Sequence, residues 1–92
     1  MSQYALKNAN GLTEFYLTST ASRISYYAFS GCTSLIRFGV YDVSTKEIIE
    51  VNDYEARFSN SLNTIDAYAF QNSKFKDVII PNSVTKIVSA AF

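Results

Sequence analysis

Ninety-two residues allow one domain, or one piece of a larger one, and at this size folding buries only about 60–65% of the unfolded chain's surface. Apolar residues make up 48% and aromatics 15%, as seven Tyr and seven Phe with no Trp, so core material is ample and disorder is not expected. Eight Lys and Arg balance eight Asp and Glu without clustering, which removes the basic footprint of a nucleic-acid or anionic-membrane binder.

In chain order the first phrase is Tyr4-Ala5-Leu6, followed by Ala9, Leu12, Phe15 and Leu17 and closing at Ile24. The second is Tyr27-Ala28-Phe29, then Cys32, Leu35, Phe38 and Val40. The third is Tyr68-Ala69-Phe70, then Ser73, Phe75, Val78 and Ile80, closing at Pro81 and Ile87. A fourth begins at Ala91-Phe92. The Ala-apolar pairs are spaced 23, 41 and 22 residues apart, so the unit is about 22–23 residues long with roughly 18 more in the second copy. Within each copy, Phe15/Leu17, Phe38/Val40 and Val78/Ile80 alternate at period two, as a half-buried strand does. Strands of successive copies are expected to stack about 4.8 Å apart in a parallel sheet. One coil cannot bury its own apolar side, which is why the phrase recurs.

The runs YAFSGCTSL (27–35) and DVIIPNSVTKI (77–87) resemble the BspA-like leucine-rich repeats, which follow roughly Tyr-Ala-Phe-x-x-Cys-x-x-Leu-x-x-Val-x-Ile-Pro-x-Ser-Val-Thr-x-Ile. The resemblance covers about residues 4–40 and 62–92. The first copy departs from it, with Leu6 for Phe, Ala9 for Cys and no Pro near Thr18. The expected fold is α/β: a short leucine-rich-repeat solenoid of about three coils, its parallel strands joined by short helical turns and interrupted by a β-rich insertion. The coils are expected over residues 4–26, 27–66 (with the insertion at 41–61) and 67–89, with a truncated fourth from residue 90.

The insertion holds Val43, Ser44-Thr45-Lys46 and Ile48-Ile49, which suit a short hairpin extending the strand at Phe38–Val40. It also concentrates Glu47, Glu50, Asp53 and Glu55. Three of these acids could in principle serve a divalent cation. With no loop glycine or ordered Asp/Asn/Gly spacing, a solvated hairpin edge is the better reading, and no metal is expected.

No histidine is present, so a Ser-His or Cys-His nucleophile pair and every histidine-containing metal site are excluded. Gly11, Gly31 and Gly39 are isolated, so there is no glycine-rich phosphate loop and no cofactor is expected. Cys32, the single cysteine, allows no internal disulfide. It occupies the repeat's small inner position, matched by Ala9 and Ser73, and reads as a core residue. Catalysis is not expected. No apolar stretch approaches 18 residues and no signal-peptide pattern covers Met1–Gly11, so membrane insertion is not expected, and an export signal would lie outside this chain.

If the alternating apolar residues point inward, their neighbours Glu14, Tyr16 and Thr18, Arg37, Gly39 and Tyr41, and Asp77 and Ile79 point outward on the sheet. Tyrosine mixed with charge suits a recognition surface. We therefore take Glu14, Tyr16, Thr18, Arg37, Tyr41, Asp77 and Ile79 as the candidate partner-binding face. Three strands roughly 10–13 Å long offer only about 150–200 Å², against about 800 Å² per partner in a specific interface. A partner must reach beyond them. The resemblance implies an extracellular or cell-surface protein of the kind linked to adhesion. A non-catalytic protein-interaction module is the leading expectation, with a structural spacer inside a larger surface protein as the alternative. The unpaired coil at the chain's end, with Phe92, also predicts end-to-end self-association.

Overall fold

A computed structural model describes residues 3–88 and 90–92; the expected coil boundary at residue 89 lies outside them. The described strands are, in chain order, β1 (Glu14–Thr18), β2 (Arg23–Ile24), β3 (Arg37–Asp42), β4 (Glu47–Ile49), β5 (Glu55–Arg57), β6 (Thr64–Ile65), β7 (Asp77–Ile79) and β8 (Lys86–Ile87). One sheet runs β1-β3-β5-β7, all parallel, with β4 antiparallel on β3; a second runs β2-β6-β8, also parallel. About three turns of a parallel β-solenoid result.

The Tyr-Ala-apolar phrases form turns, and among the described residues there is no helix, so the short helical turns expected from the sequence are absent. The backbone gives the reason. Tyr4, Tyr27 and Tyr68 sit at φ 60°, 59° and 58°, and Asn8, Gly31 and Asn72, four residues later in each copy, at 62°, 76° and 67°. Two left-handed residues per phrase stop any right-handed run from propagating. Ala90 has the same φ sign, so the fourth phrase starts the same backbone path. At the second left-handed position of the middle coil the backbone favours Gly31, and a Cβ there would also force the Asn8 side chain to move.

What offsets the strain at these tyrosines is a third ladder of hydrogen bonds between coils. The Tyr4, Leu6 and Asn8 amides donate to the carbonyls of Tyr26, Ala28 and Ser30 at 3.0, 2.8 and 2.7 Å. The Tyr27, Phe29 and Gly31 amides donate to Ala67, Ala69 and Gln71 at 3.2, 2.7 and 2.9 Å. Every coil is thus tied to the next on three sides.

Inside, identical positions stack. Phe29, Phe70 and Phe92 form one column, with ring centroids 5.3 and 4.9 Å apart and planes within 4° and 9°. Phe38 meets both Phe29 and Phe70 edge-on at 5.0 and 5.1 Å. Ile24 and Ile65 are fully buried on the second sheet, as are Leu35 and Leu62 between the sheets. Each such side chain contributes about 1.5–3 kcal/mol by leaving water. Cys32 lies among them, its thiol donating to the Leu6 carbonyl at 3.2 Å. Burial fades toward the last coil, where the inward-facing Val78 is 37% exposed.

The segment 41–61 divides in two. The chain turns at Val43–Lys46 and returns as β4, pairing Val40 with Ile49, Tyr41 with Ile48 and Asp42 with Glu47. Glu55–Arg57, expected within the insertion, instead forms β5 inside the parallel sheet, pairing with β3 at Arg37↔Glu55 and with β7 at Glu55↔Asp77. β3 therefore has one edge on β1 over Arg37–Tyr41, while its other edge is shared, with β5 at Arg37 and Phe38 and with β4 at Val40–Asp42.

Candidate functional site

The outward face of the first sheet follows from its register. Phe15, Phe38, Ala56 and Val78 occupy one inward row, so Glu14, Arg37, Glu55 and Asp77 form the outward row beside it. The next outward row carries Tyr16 beside Gly39, and Arg57 beside Ile79. A third outward row has Thr18 beside Tyr41, and Tyr41 beside Ile48 of the hairpin. The register thus brings all seven sequence-selected residues onto one face, and places β5 between the Arg37 and Asp77 strands.

Not all seven are equally available. Tyr16 lies over Gly39: a Cβ there would be 2.8 and 2.9 Å from two carbons of its ring. Partial burial, then a hydrogen bond to the Glu14 carboxylate, pushes the Tyr16 phenol above its ordinary value. Arg37 Nε donates to Asp53 Oδ1 at 2.7 Å, so the guanidinium pins the segment after the hairpin, and that bond raises the Arg37 pKa. Ile79, at 43% exposed, and Ile48, also 43%, are the open apolar positions of the face. Tyr41 is half-buried between β1 and β4, and Glu14, Thr18 and Asp77 are exposed.

Sequence reasoning missed Glu55 and Arg57. Glu55 is buried and accepts a hydrogen bond from the Asn52 amide at 2.9 Å; its carboxylate lies 3.7 Å from Arg57 Nε. The signal was in the spacing: Glu14 precedes Arg23, Glu55 precedes Thr64 and Asp77 precedes Lys86 by the same nine residues, first-sheet strand to second-sheet strand. Four of the five acids of segment 41–61 go to separate structural tasks, Asp42 on Ser44, Glu47 in the hairpin, Asp53 on Arg37 and Glu55 under Asn52. Among the described residues no group of three or more potential metal ligands comes together. No described helix is long and apolar enough to cross a membrane.

Parallel coils of 22–23 residues, stacked Phe columns and a repeated left-handed turn define a leucine-rich-repeat type of solenoid, in which one sheet face is lined by residues that change from coil to coil. A family model described as BspA type leucine rich repeat region (6 copies) matches residues 1–54, and the chain belongs to that family. No curated protein and no solved structure matches. The ladder of the matched half continues through β7 and β8, beyond the matched residues.

Proposed function

We propose that this chain is a non-catalytic protein-interaction module of a surface or secreted protein, acting in adhesion through the outward face of its first sheet. The supporting observation is the alignment of Glu14, Arg37 and Asp77 in one charged row, with the buried Glu55 between the last two, beside the open apolar positions Ile79 and Ile48. A spacer has no need of exposed isoleucines on a face that also carries charges of both signs, whereas recognition uses both. The family is one of repeat proteins typically found at surfaces and typically not enzymes, which agrees with this reading. Four strands widen the face to about 190–250 Å², so a partner of ordinary size extends past Ile48 onto the hairpin or past β7.

The test is a photo-crosslinking residue placed at Ile79 or Tyr41, with one at Lys86 on the second sheet as control, exposed to extracellular protein. Adducts from the first two positions that disappear on Asp77→Ala are expected. Adducts from none of the three would favour the spacer. We also propose that a second copy stacks on the open end formed by Val78, Ile80, Ile87 and Phe92, all exposed. The opposite end offers the matching rows, Leu6, Ala9, Leu12 and Phe15, only partly buried.

A further inference from the structure

The hairpin creates a cleft that the regular coils lack. It encloses about 330 Å³ and is lined by Ser19, Val40, Asp42, Ile49, Arg57, Phe58, Ser59, Asn60 and Ser61. Its origin is the divided edge of β3: β4 takes the upper part of that edge and β5 the lower, so the hairpin overhangs the chain leaving β5. We propose that this cleft binds a single neutral sugar ring, with Asp42 accepting from its hydroxyls, Arg57 donating to them, and the apolar floor of Phe58, Val40 and Ile49 against its C–H face.

Several observations converge on that ligand class. The volume lies at the small end of the range for ligand pockets, about 300–1,000 Å³. The lining is split between an apolar floor and convergent polar groups, the usual composition of such pockets. Phe58 is a buried ring whose contacts with Phe38 and Phe70, at 5.4 and 6.0 Å, hold it in place. The polar part is pre-set. The Ser59 hydroxyl donates to the Ser19 carbonyl, and the Ser61 hydroxyl shares its single proton between the Ser19 and Ala21 carbonyls. The Ser19 hydroxyl accepts from the Val43 amide at 3.1 Å, which ties the hairpin to the first coil. The Asp42 carboxylate is held through one oxygen, Oδ1, by the Ser44 amide at 2.9 Å and the Ser44 hydroxyl at 2.7 Å. The Thr45 amide adds a further backbone bond to the same carboxylate.

Charge then narrows the choice. Asp42 and Arg57 both belong to the lining, with Arg57 Nε 3.7 Å from the Glu55 carboxylate, so an anion meets Asp42 and a cation meets Arg57. A neutral polyol needs both, because each of its hydroxyls donates once and accepts as well. Crosslinking at Tyr41 and Ile79 reads capture of a protein partner, whereas the titration below reads a small ligand in the cleft, so the failure of one is distinguishable from the failure of the other.

The test is an amide chemical-shift titration with methyl α-glucopyranoside, methyl β-galactopyranoside and methyl α-mannopyranoside, with glycylglycine and sodium acetate in parallel. At least one glycoside should saturate with a dissociation constant on the order of a millimolar, as fits so small a ligand. The shifts should be confined to Ser19, residues 40–43 and residues 57–61. Asp42→Asn, which keeps an oxygen for Ser44, should weaken binding about tenfold or more while leaving the rest of the spectrum unchanged. Arg57→Gln provides the same readout if that variant misfolds. Absence of saturable shifts with all three glycosides overturns the proposal. So does titration by glycylglycine or acetate alone, which would assign the cleft to a zwitterion or an anion, and so does unchanged affinity in both variants.

Discussion

Gly39→Ala puts the packing of the outward face to a direct test. The backbone at Gly39 is ordinary for any residue, so only space decides the effect. The added Cβ would sit 2.8 and 2.9 Å from Tyr16 ring carbons and 2.9 Å from the Ile49 carbonyl oxygen. Those distances fall well short of the ~3.5 Å at which carbon contacts become favourable. The Tyr16 ring can turn away only by disturbing its bond to Glu14, and the Ile49 carbonyl is fixed in the hairpin. Overpacking of this kind costs about 1–3 kcal/mol, which in a domain of this length lowers Tm by about 5–20 °C. Adding Tyr16→Ala removes the ring clash but leaves the carbonyl, so the double variant should recover part of the loss, with a coupling of about 0.5 kcal/mol or more. Thermal and urea unfolding of the single and double variants measure both numbers. A Gly39→Ala protein within about 0.5 kcal/mol of the parent would show that Tyr16 does not rest on the sheet, and would return its whole ring to the candidate binding face.

Cys32 is 1% exposed, so Cys32→Ala should cost about 1 kcal/mol or more, and the native thiol should react with an aromatic disulfide far more slowly than the unfolded one. Burial raises that thiol above its ordinary 9.0. The advantage of Cys32 over Ala is therefore complete below that value and lost as pH rises through the folded pKa, which paired urea titrations of parent and variant at neutral and alkaline pH would reveal. The Ser44 hydroxyl, then the Ser44 amide, hold the Asp42 carboxyl below its ordinary 3.8; Ser44→Ala should raise the midpoint followed by carboxyl-carbon NMR, and an unmoved midpoint would remove the hairpin lock. Sedimentation velocity over a range of concentrations should show head-to-tail association that Ile87→Lys weakens, and a strictly monomeric parent would exclude stacking through that end.

The solenoid was legible because its cause is repetition. Tyr27-Ala28-Phe29 and Tyr68-Ala69-Phe70 recur since each ring must meet its copy one coil away, as Tyr27 and Tyr68 do at 4.9 Å and Phe29 and Phe70 at 5.3 Å. The outward row followed from period-two alternation alone. The missing helices were less legible, since a left-handed tyrosine leaves no mark in composition; Asn8 and Asn72 at the second left-handed position were the available hint. β5 escaped because Glu55-Ala56-Arg57 carries only one apolar residue, and that residue is Ala. Its strand identity comes from neighbours on both sides, with Ala56 buried between Phe38 and Val78. The cleft was illegible for the same reason, since it depends on where β4 stops and β5 begins.

The extra residues of the second copy are tolerated because they close on themselves. From Arg37 to its partner Glu55 the chain goes out along β3, back along β4 and returns to the same height on the next position of the sheet. The path resumes at β5 with its inward row intact, and nine residues later reaches Thr64 beside Arg23, as an uninterrupted coil would. An excursion one residue longer or shorter would have put Glu55 or Arg57 inward in place of Ala56, because a one-residue slip exchanges the faces of a strand. Two ties fix that height. Arg37 holds Asp53 just before β5, and the Tyr54 amide donates to the Ile36 carbonyl at 2.6 Å. Tyr54 takes up a left-handed φ of 63° to make that entry, as Tyr27 and Tyr68 do at the start of their own phrases. The excursion is thus left by the same backbone device that builds the coils, which lets a hairpin and its cleft be added without breaking the ladder on either side.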